Sequence, residues 1–264
     1  MIRIVDLCDN KSLSPDFAAE HGLSYYIEAY GKKILFDTGQ SDVFLRNAKK
    51  LNIDLSALDL VVLSHGHYDH VGGLARLTAK NVYCHRQIFV PKYKVEENSY
   101  KDIGFPCAEA DYRANQGHNF CFFSGTRELA KNIYLISDFQ KIFNKIYFFV
   151  KKDGKYLFDT FEDETALVIV TSKGLVVITG CAHSGVLNII EKAQRELKQK
   201  KIYALLGGFH LSKADNTELI KTAARLNEQE IKKIGIGHCT GDKFINYLSR
   251  GNAFDFKAGQ VIEL

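Results

Sequence analysis

The ten residues Ser64-His65-Gly66-His67-Tyr68-Asp69-His70-Val71-Gly72-Gly73 constrain this chain more than any other segment. They follow the apolar run Leu60-Val61-Val62-Leu63, which reads as a buried strand, so the histidines stand where a rigid strand gives way to a loop. Histidine offers a neutral imidazole nitrogen and aspartate a hard oxygen, a mixed set that zinc, iron and manganese accept. His65 and His67 alternate along the backbone and can reach one ion. Asp69 and His70 are turned the other way and can serve a second. Gly72 and Gly73 are expected to let the chain turn sharply away. A histidine-rich surface loop is the alternative, but this density of ligand-type side chains after a buried strand favours metal chemistry.

With 264 residues and 46% apolar content, the chain can bury a sizeable core and reads as one domain over 1–264. Its net charge of +4 comes from scattered lysines, which gives no clear nucleic-acid signal. No apolar run approaches the length of a membrane-spanning helix, so no membrane partner is expected. Met1-Ile2-Arg3-Ile4-Val5-Asp6 reads as a first strand and not as an export signal. The six cysteines, at 8, 84, 107, 121, 181 and 239, form no CxxC pair. A reduced, cytoplasmic chain is therefore expected, with most thiols acting as small buried hydrophobes. Cys181 and Cys239 stand apart because each lies close to a histidine.

Strand patterns cover 24–30 and 33–36, with a turn at Gly31, and Asp37-Thr38-Gly39 closes the second of them. A helix is expected from Asp42, capped by Ser41 or Asp42, with Val43, Phe44, Ala48 and Leu51 as its apolar stripe. A short helix near 74–77 and a strand over 81–85 follow the histidine loop. From about 91 to 144 the pattern weakens, with Pro91, Pro106, Phe105, Tyr112, Phe120, Phe122 and Phe123 among scattered charges. This stretch reads as an insertion over the site. Two hairpins, 147–150 with 156–158 and 165–170 with 175–179, open the second half. Then come a helix over 186–200, a strand over 203–206, a helix over 217–230, a strand near 233–237 and a final helix over 242–249. Each histidine-bearing segment follows an apolar strand. Two strand-then-helix halves of this kind suggest two sheets face to face with helices outside, a four-layer αββα sandwich of the α+β class.

These motifs carry a resemblance. His65-Gly66-His67-Tyr68-Asp69-His70 is similar to the HxHxDH signature of the metallo-β-lactamase fold, and Leu35-Phe36-Asp37-Thr38-Gly39 resembles its upstream strand-and-aspartate motif. EHGLS at 20–24, TGCAHSG at 179–185, GGFHL at 207–211 and HCTG at 238–241 resemble one branch of it. That branch is typified by 7,8-dihydropterin-6-methyl-4-(β-D-ribofuranosyl)-aminobenzene-5′-phosphate synthase. The resemblance implies two divalent ions, zinc in the first place, with iron or manganese as alternatives. It implies His65 and His67 on one ion and Asp69, His70 and His238 on the other, with Asp37 behind them orienting the loop. Most members offer a lone histidine and then a bridging aspartate. Here β-type sequence ends in Cys181 where that aspartate is expected, with His183 two residues later.

Several roles stay open at this point. His183 is either the third ligand of the first ion or a helix cap. Cys181 is either a ligand, favouring a softer ion, or a packed hydrophobe. His210 either replaces a missing ligand or gives a hydrogen bond or proton to substrate, and the second role is preferred. His21 is expected as a substrate contact, and Asp69 as a proton shuttle if the metal leaves it free. His85 is expected to be packed or on the surface, and His118 carries no argument.

A binuclear site lowers the pKa of water and makes hydroxide available. The first expectation is thus a metal-dependent hydrolase, of phosphodiesterase or phosphoesterase type, using metal-bound hydroxide on a phosphorylated or otherwise anionic small molecule. The branch resemblance implies an alternative, a pterin-ribosylaminobenzene phosphate synthase, which condenses two substrates with loss of pyrophosphate. Di-iron redox chemistry is weaker, because the chain has no room for a flavodoxin-like domain. A degenerate metal-binding or sensing module is the last alternative, kept alive by Cys181. The aromatic insertion can line a pocket or form a homodimer contact.

Overall fold

A computed structural model describes residues 1–78, 80–106, 117–140, 147–248 and 251–264. Cys107, Tyr112, Asn144 and Ser249, which entered the expectations above, lie outside the described residues. Largely buried strands build the first sheet. β1 (Ile2–Cys8), β2 (Ser24–Ala29) and β3 (Lys32–Phe36) pair antiparallel in succession. The helix α1 (Val43–Lys50) then carries the chain to β4 (Leu60–Val62), which pairs parallel to β3. All of β4 is buried, as expected of a parallel strand covered on both faces. After the short helix α2 (Tyr68–Val71), β5 (Asn81–His85) adds a further parallel strand.

The stretch from 91 to 144 is more regular than its sequence pattern suggests. It contributes β6 (Lys92–Glu96), β7 (Ser99–Asp102), β8 (Asn119–Phe123), β9 (Thr126–Ala130) and β10 (Ile133–Ile136). β7 is exposed throughout and β9 has no fully buried residue, which removes the in-out apolar alternation that marks a strand. Both expected hairpins form, as β11 (Phe148–Lys152) with β12 (Lys155–Phe158) and β13 (Ala166–Thr171) with β14 (Gly174–Thr179). α3 (Val186–Glu196), β15 (Ile202–Gly207), α4 (Asn216–Glu228) and β16 (Lys233–Ile236) follow. The chain closes with β17 (Ala253–Asp255) and β18 (Val261–Glu263), which the sequence reading missed.

One seven-stranded sheet has the order β18-β1-β2-β3-β4-β5-β8, the other β17-β16-β15-β14-β13-β10-β9. A third, of order β12-β11-β6-β7, supplies one wall of the cavity described below. Ile4, Ile27, Phe36 and Val62 of the first sheet pack against Leu167, Val176, Ile178 and Leu206 of the second in a shared core. On the outer faces, Val43, Phe44 and Ala48 of α1 cover the first sheet, and residues of α3 and α4 cover the second. This is the expected αββα sandwich. Among the described residues no helix is long and apolar enough to cross a membrane.

Local expectations need correction at three places. Asp42 stands at the N-cap of α1 but its side chain makes no capping bond; it pairs with Arg46 at 3.3 Å, and the Ser41 hydroxyl bonds Glu20. The helix expected near 74–77 starts inside the histidine motif, at Tyr68, and continues as 3-10 turns over Gly72–Arg76. No sharp turn occurs at the glycine pair. Gly73 is required for space, since a Cβ there would stand 2.1 Å from the Thr38 carbonyl oxygen. The final helix expected over 242–249 is only a 3-10 turn, Phe244–Tyr247.

Strand ends position the site. Parallel pairing sets Thr179 opposite Gly207 and Gly207 opposite Ile236, so β14, β15 and β16 finish side by side. β3 and β4 finish together in the other sheet, Phe36 opposite Val62. The loops after these carboxyl ends form one edge of the sandwich, where open sheets of this kind bind ligands.

Candidate metal centre

Asp37 leaves β3 with a left-handed φ of 59°. Its buried carboxylate accepts the backbone N–H and the hydroxyl of Ser64, both at 2.6 Å, and meets Nδ1 of His70 at 2.7 Å. With Nδ1–H committed to Asp37, His70 presents Nε2 as a lone pair. The Ser64 hydroxyl, having donated to Asp37, accepts from Nδ1 of His65 at 2.9 Å, so His65 also presents Nε2. One aspartate thereby sets the tautomers of two histidines.

His238 is held from the opposite sheet. Its N–H donates to Asp9 Oδ2 at 2.7 Å and its Nδ1 to Asn10 Oδ1 at 2.9 Å. The Nε2 lone pair of His238 then faces that of His70 at 3.1 Å. Two such lone pairs repel unless a cation or a proton lies between them, so this donor set fits a metal ion. Asp69 Oδ2 completes the group, 3.3 Å from His238 Nε2 and 3.7 Å from His70 Nε2. Burial would raise the Asp69 carboxyl, but His70 and His238 outweigh it and hold the group below the usual carboxylate range. Burial would likewise lower His238, yet Cys239 and Asp69 push it up to about 9, so without a metal its Nε2 carries a proton that a bound ion would displace.

The second grouping is all imidazole. His65 Nε2 lies 3.0 Å from His67 Nδ1, and the His183 ring centre is 5.0 Å from both rings. Donor atoms of these three lie within 4.8 Å of one another. Burial first, and then nearby positive charge, keeps His65 and His67 well below the usual imidazole range, in the neutral form that ligates. Nε2 of His67 is buried with no hydrogen-bond partner among the described residues. His183 is not a helix cap, since Gly185 is the N-cap of α3. It is fixed by Glu164, which accepts the N–H groups of His183 at 2.5 Å and Ser184 at 2.6 Å, and by the Phe161 ring stacked at 4.0 Å.

Cys181 lies between the two groupings. Its Sγ is 3.2 Å from His70 Nε2, and it forms ligand-spaced triads with His65 and His70, with His183 and His210, and with His238 and Cys239. Burial holds its thiol above the ordinary range, so ligation there releases a proton. His210, at a φ of 51°, stacks obliquely on His183 at 4.3 Å and sits beside Phe148 at 5.6 Å. His21 comes in from the β1–β2 loop, with Nε2 3.2 Å from Asp69 Oδ2. His85, the last residue of β5, pairs with Asp138 at 3.2 Å, and His118 Nε2 meets the Leu74 carbonyl at 3.2 Å; neither belongs to the donor groupings above.

Some residues that shape this site went unread in the sequence. Lys92 is fully buried between Asp159 at 3.0 Å and Asp163 at 2.9 Å. Asp163 in turn accepts the N–H of Gly66, between His65 and His67, at 2.7 Å. Gly66 has no room for a side chain, because a Cβ would stand 2.1 Å from the Ile88 carbonyl oxygen. The acidic run Phe161-Glu162-Asp163-Glu164 was the one available signal, and it reads equally as a solvated turn.

Above the histidines opens a cavity of about 620 Å³. Its floor includes His67, Asp69, His183, His210 and His238; Tyr68, Tyr147 and Phe148 form an aromatic wall. Lys11, Lys94, Lys101, Lys213 and Lys243 line the same space. Glu96 neutralises part of that charge by pairing with Lys94 at 2.6 Å and Lys101 at 3.5 Å. Lys213 lies over the Tyr147 ring at 5.6 Å.

Comparisons with known proteins bear on the family and the fold of this chain. The family model of the metallo-beta-lactamase superfamily matches residues 18–102. A 7,8-dihydropterin-6-methyl-4-(beta-D-ribofuranosyl)-aminobenzene-5′-phosphate synthase of Methanocaldococcus jannaschii is 32% identical over 97% of this chain and 94% of its own. The crystal structure of a metal-dependent hydrolase of the beta-lactamase superfamily superimposes with a TM-score of 0.88 at 36% identity, over 100% of this chain and 99% of that one. Zn2+-bound PqqB from Methylobacterium extorquens shares the fold, with a TM-score of 0.61 at 12% identity over 99% of this chain and 100% of its own.

Proposed function

From its membership of the metallo-β-lactamase superfamily, to which this chain belongs, we propose that the protein is a binuclear metal-dependent hydrolase of phosphorylated small molecules. The observation that carries this reading is the union of two facing donor sets with a lysine-lined cavity directly above them. His65, His67 and His183 would hold one ion, and Asp69, His70 and His238 the other, with Cys181 between them. A pair of divalent ions bound there supplies an activated water and polarises a phosphoryl oxygen.

The chain's own side chains do the rest. Lys213 and Lys243 offer positive charge to an anionic group at the cavity wall, and Tyr68, Tyr147 and Phe148 cover an apolar part and keep water out. His210 borders the floor of the cavity and gives a proton to the departing oxygen. Asp37 and Ser64 keep the ring nitrogens of His70 and His65 aimed while charge develops. A thiol at Cys181 favours zinc or iron over magnesium.

A second reading is favoured by one specific finding, the synthase that is 32% identical over nearly the whole chain. Under it the same cavity takes a pterin carrying a diphosphate on its 6-methyl carbon, with its ring against the aromatic wall, and a ribosylaminobenzene phosphate; the new bond forms at that carbon as the diphosphate leaves as pyrophosphate toward the lysines. The test is a panel run on zinc- or manganese-loaded protein: a phosphodiester, a phosphomonoester, a thioester, and the two-substrate pterin mixture followed by pyrophosphate release. We expect chelator-sensitive turnover of a phosphoester. Turnover confined to the two-substrate mixture establishes the second reading, and failure on every phosphorylated compound contradicts both.

A further inference from the structure

His21, from the β1–β2 loop, stands outside the set of donors so far assigned to the two ions. We propose that His21 is a protein ligand of the second ion, joining Asp69 and His238. The inference rests on the binuclear reading above and deepens it.

Geometry carries the case. A single carboxylate oxygen, Oδ2 of Asp69, has the Nε2 atoms of His21 at 3.2 Å, His238 at 3.3 Å and His70 at 3.7 Å around it. The donor atoms of His21, Asp69 and His238 lie within 4.8 Å of one another, a ligand-type spacing. The rings of His21 and His238 are neighbours, inclined by 32° with centres 5.1 Å apart.

The backbone around His21 is tied down on each side. Glu20 gives its N–H to the Asp9 carbonyl at 3.2 Å, and its carboxylate accepts the N–H groups of Gln40 and Ser41, each at 3.1 Å. Gly22 gives its N–H to Asn10 Oδ1 at 3.2 Å, and Leu23 gives its N–H to the Asp69 carbonyl at 3.3 Å. That same Asn10 oxygen takes the Nδ1–H of His238 at 2.9 Å. One amide thus fixes the tautomer of an assigned ligand and the position of the loop that bears His21. Such shared support is what orients metal ligands.

The consequence is an asymmetric centre. The second ion draws on Asp69, His70, His238 and His21, with Cys181 near, whereas the first draws on three imidazoles. The less crowded first ion is therefore the one left open to a substrate oxygen.

The side chain of His21 is 54% exposed, so His21→Ala leaves the core untouched and folds. The experiment is a cobalt(II) titration of metal-free wild type and His21→Ala, read by visible absorption and by bound cobalt per chain. Wild type takes two ions. The variant is expected to keep the first binding step and to lose affinity at the second by about 10–100-fold, with an altered visible band for the second ion. Superimposable isotherms and spectra would overturn the ligand role of His21 alone and return it to a substrate contact. Uptake of a single cobalt by wild type would overturn both this proposal and the binuclear reading.

Discussion

Replacing His67 with alanine lowers turnover by on the order of 10³-fold or more, because it removes one of the three imidazoles of the first grouping. The fold is expected to survive. His67 Nε2 has no hydrogen-bond partner among the described residues, and Nδ1 meets only the neighbouring His65, at 3.0 Å. No strand, loop or helix end depends on the ring for a backbone bond. In metal-free protein, therefore, His67→Ala changes the melting temperature by only a few degrees, roughly what a single small core change costs. In metal-loaded protein the wild type gains stability from its ions and the variant gains much less, since binding to the folded state alone stabilises it. Thermal unfolding with and without zinc, beside the rate on whichever phosphoester is turned over, tests this. Full activity in the folded variant sinks the assignment of His67.

The second large effect lies beneath the site. Lys92→Met is expected to destabilise the protein by about 3–5 kcal/mol, the usual cost of breaking a buried ion pair by removing one partner. Methionine keeps the apolar stem but leaves Asp159 and Asp163 facing one another without a cation. Burial already raises Asp163 above the ordinary aspartate value, and the charge of Asp159 adds to this, while Lys92 opposes both. A group with a raised folded-state pKa favours the native state more as pH falls toward that pKa. The deficit of Lys92→Met relative to wild type should thus shrink between pH 7 and pH 5, as the freed carboxyl takes up a proton. Urea unfolding of both proteins at the two pH values measures the difference. A deficit below about 1 kcal/mol at pH 7 would mean the triad is an ordinary surface-like ion pair. Because Asp163 also accepts the N–H of Gly66, between His65 and His67, weaker metal binding at those two histidines is expected to accompany the loss of Lys92.

Much of this was legible in the sequence for a local reason. The run 60–70 contains both a buried strand and its ligands, so fold and chemistry are written in one stretch. Apolar strands followed by histidines likewise marked Cys181, His183, His210 and His238, and parallel pairing of β14, β15 and β16 brings their loops together. What stayed hidden depends on partners distant in sequence. Lys92 looks like any solvated lysine until Asp159 and Asp163 fold over it, 67 and 71 positions away. Asn10 and Glu164 give no periodic or motif signal, yet one sets the tautomer of His238 and the other clamps the His183 loop. The helix at 68–71 is a single turn, too short to show a helical period, so the glycines after it read as a sharp bend.

The most direct test of a binuclear centre is the number of divalent ions bound per chain, from elemental analysis of protein purified without chelator and again after zinc is added back. We expect two zinc, iron or manganese ions per chain, held by the facing imidazoles of His65, His67 and His183 on one side and Asp69, His70 and His238 on the other. One ion or none after reconstitution would contradict that account and leave a binding or sensing module in its place.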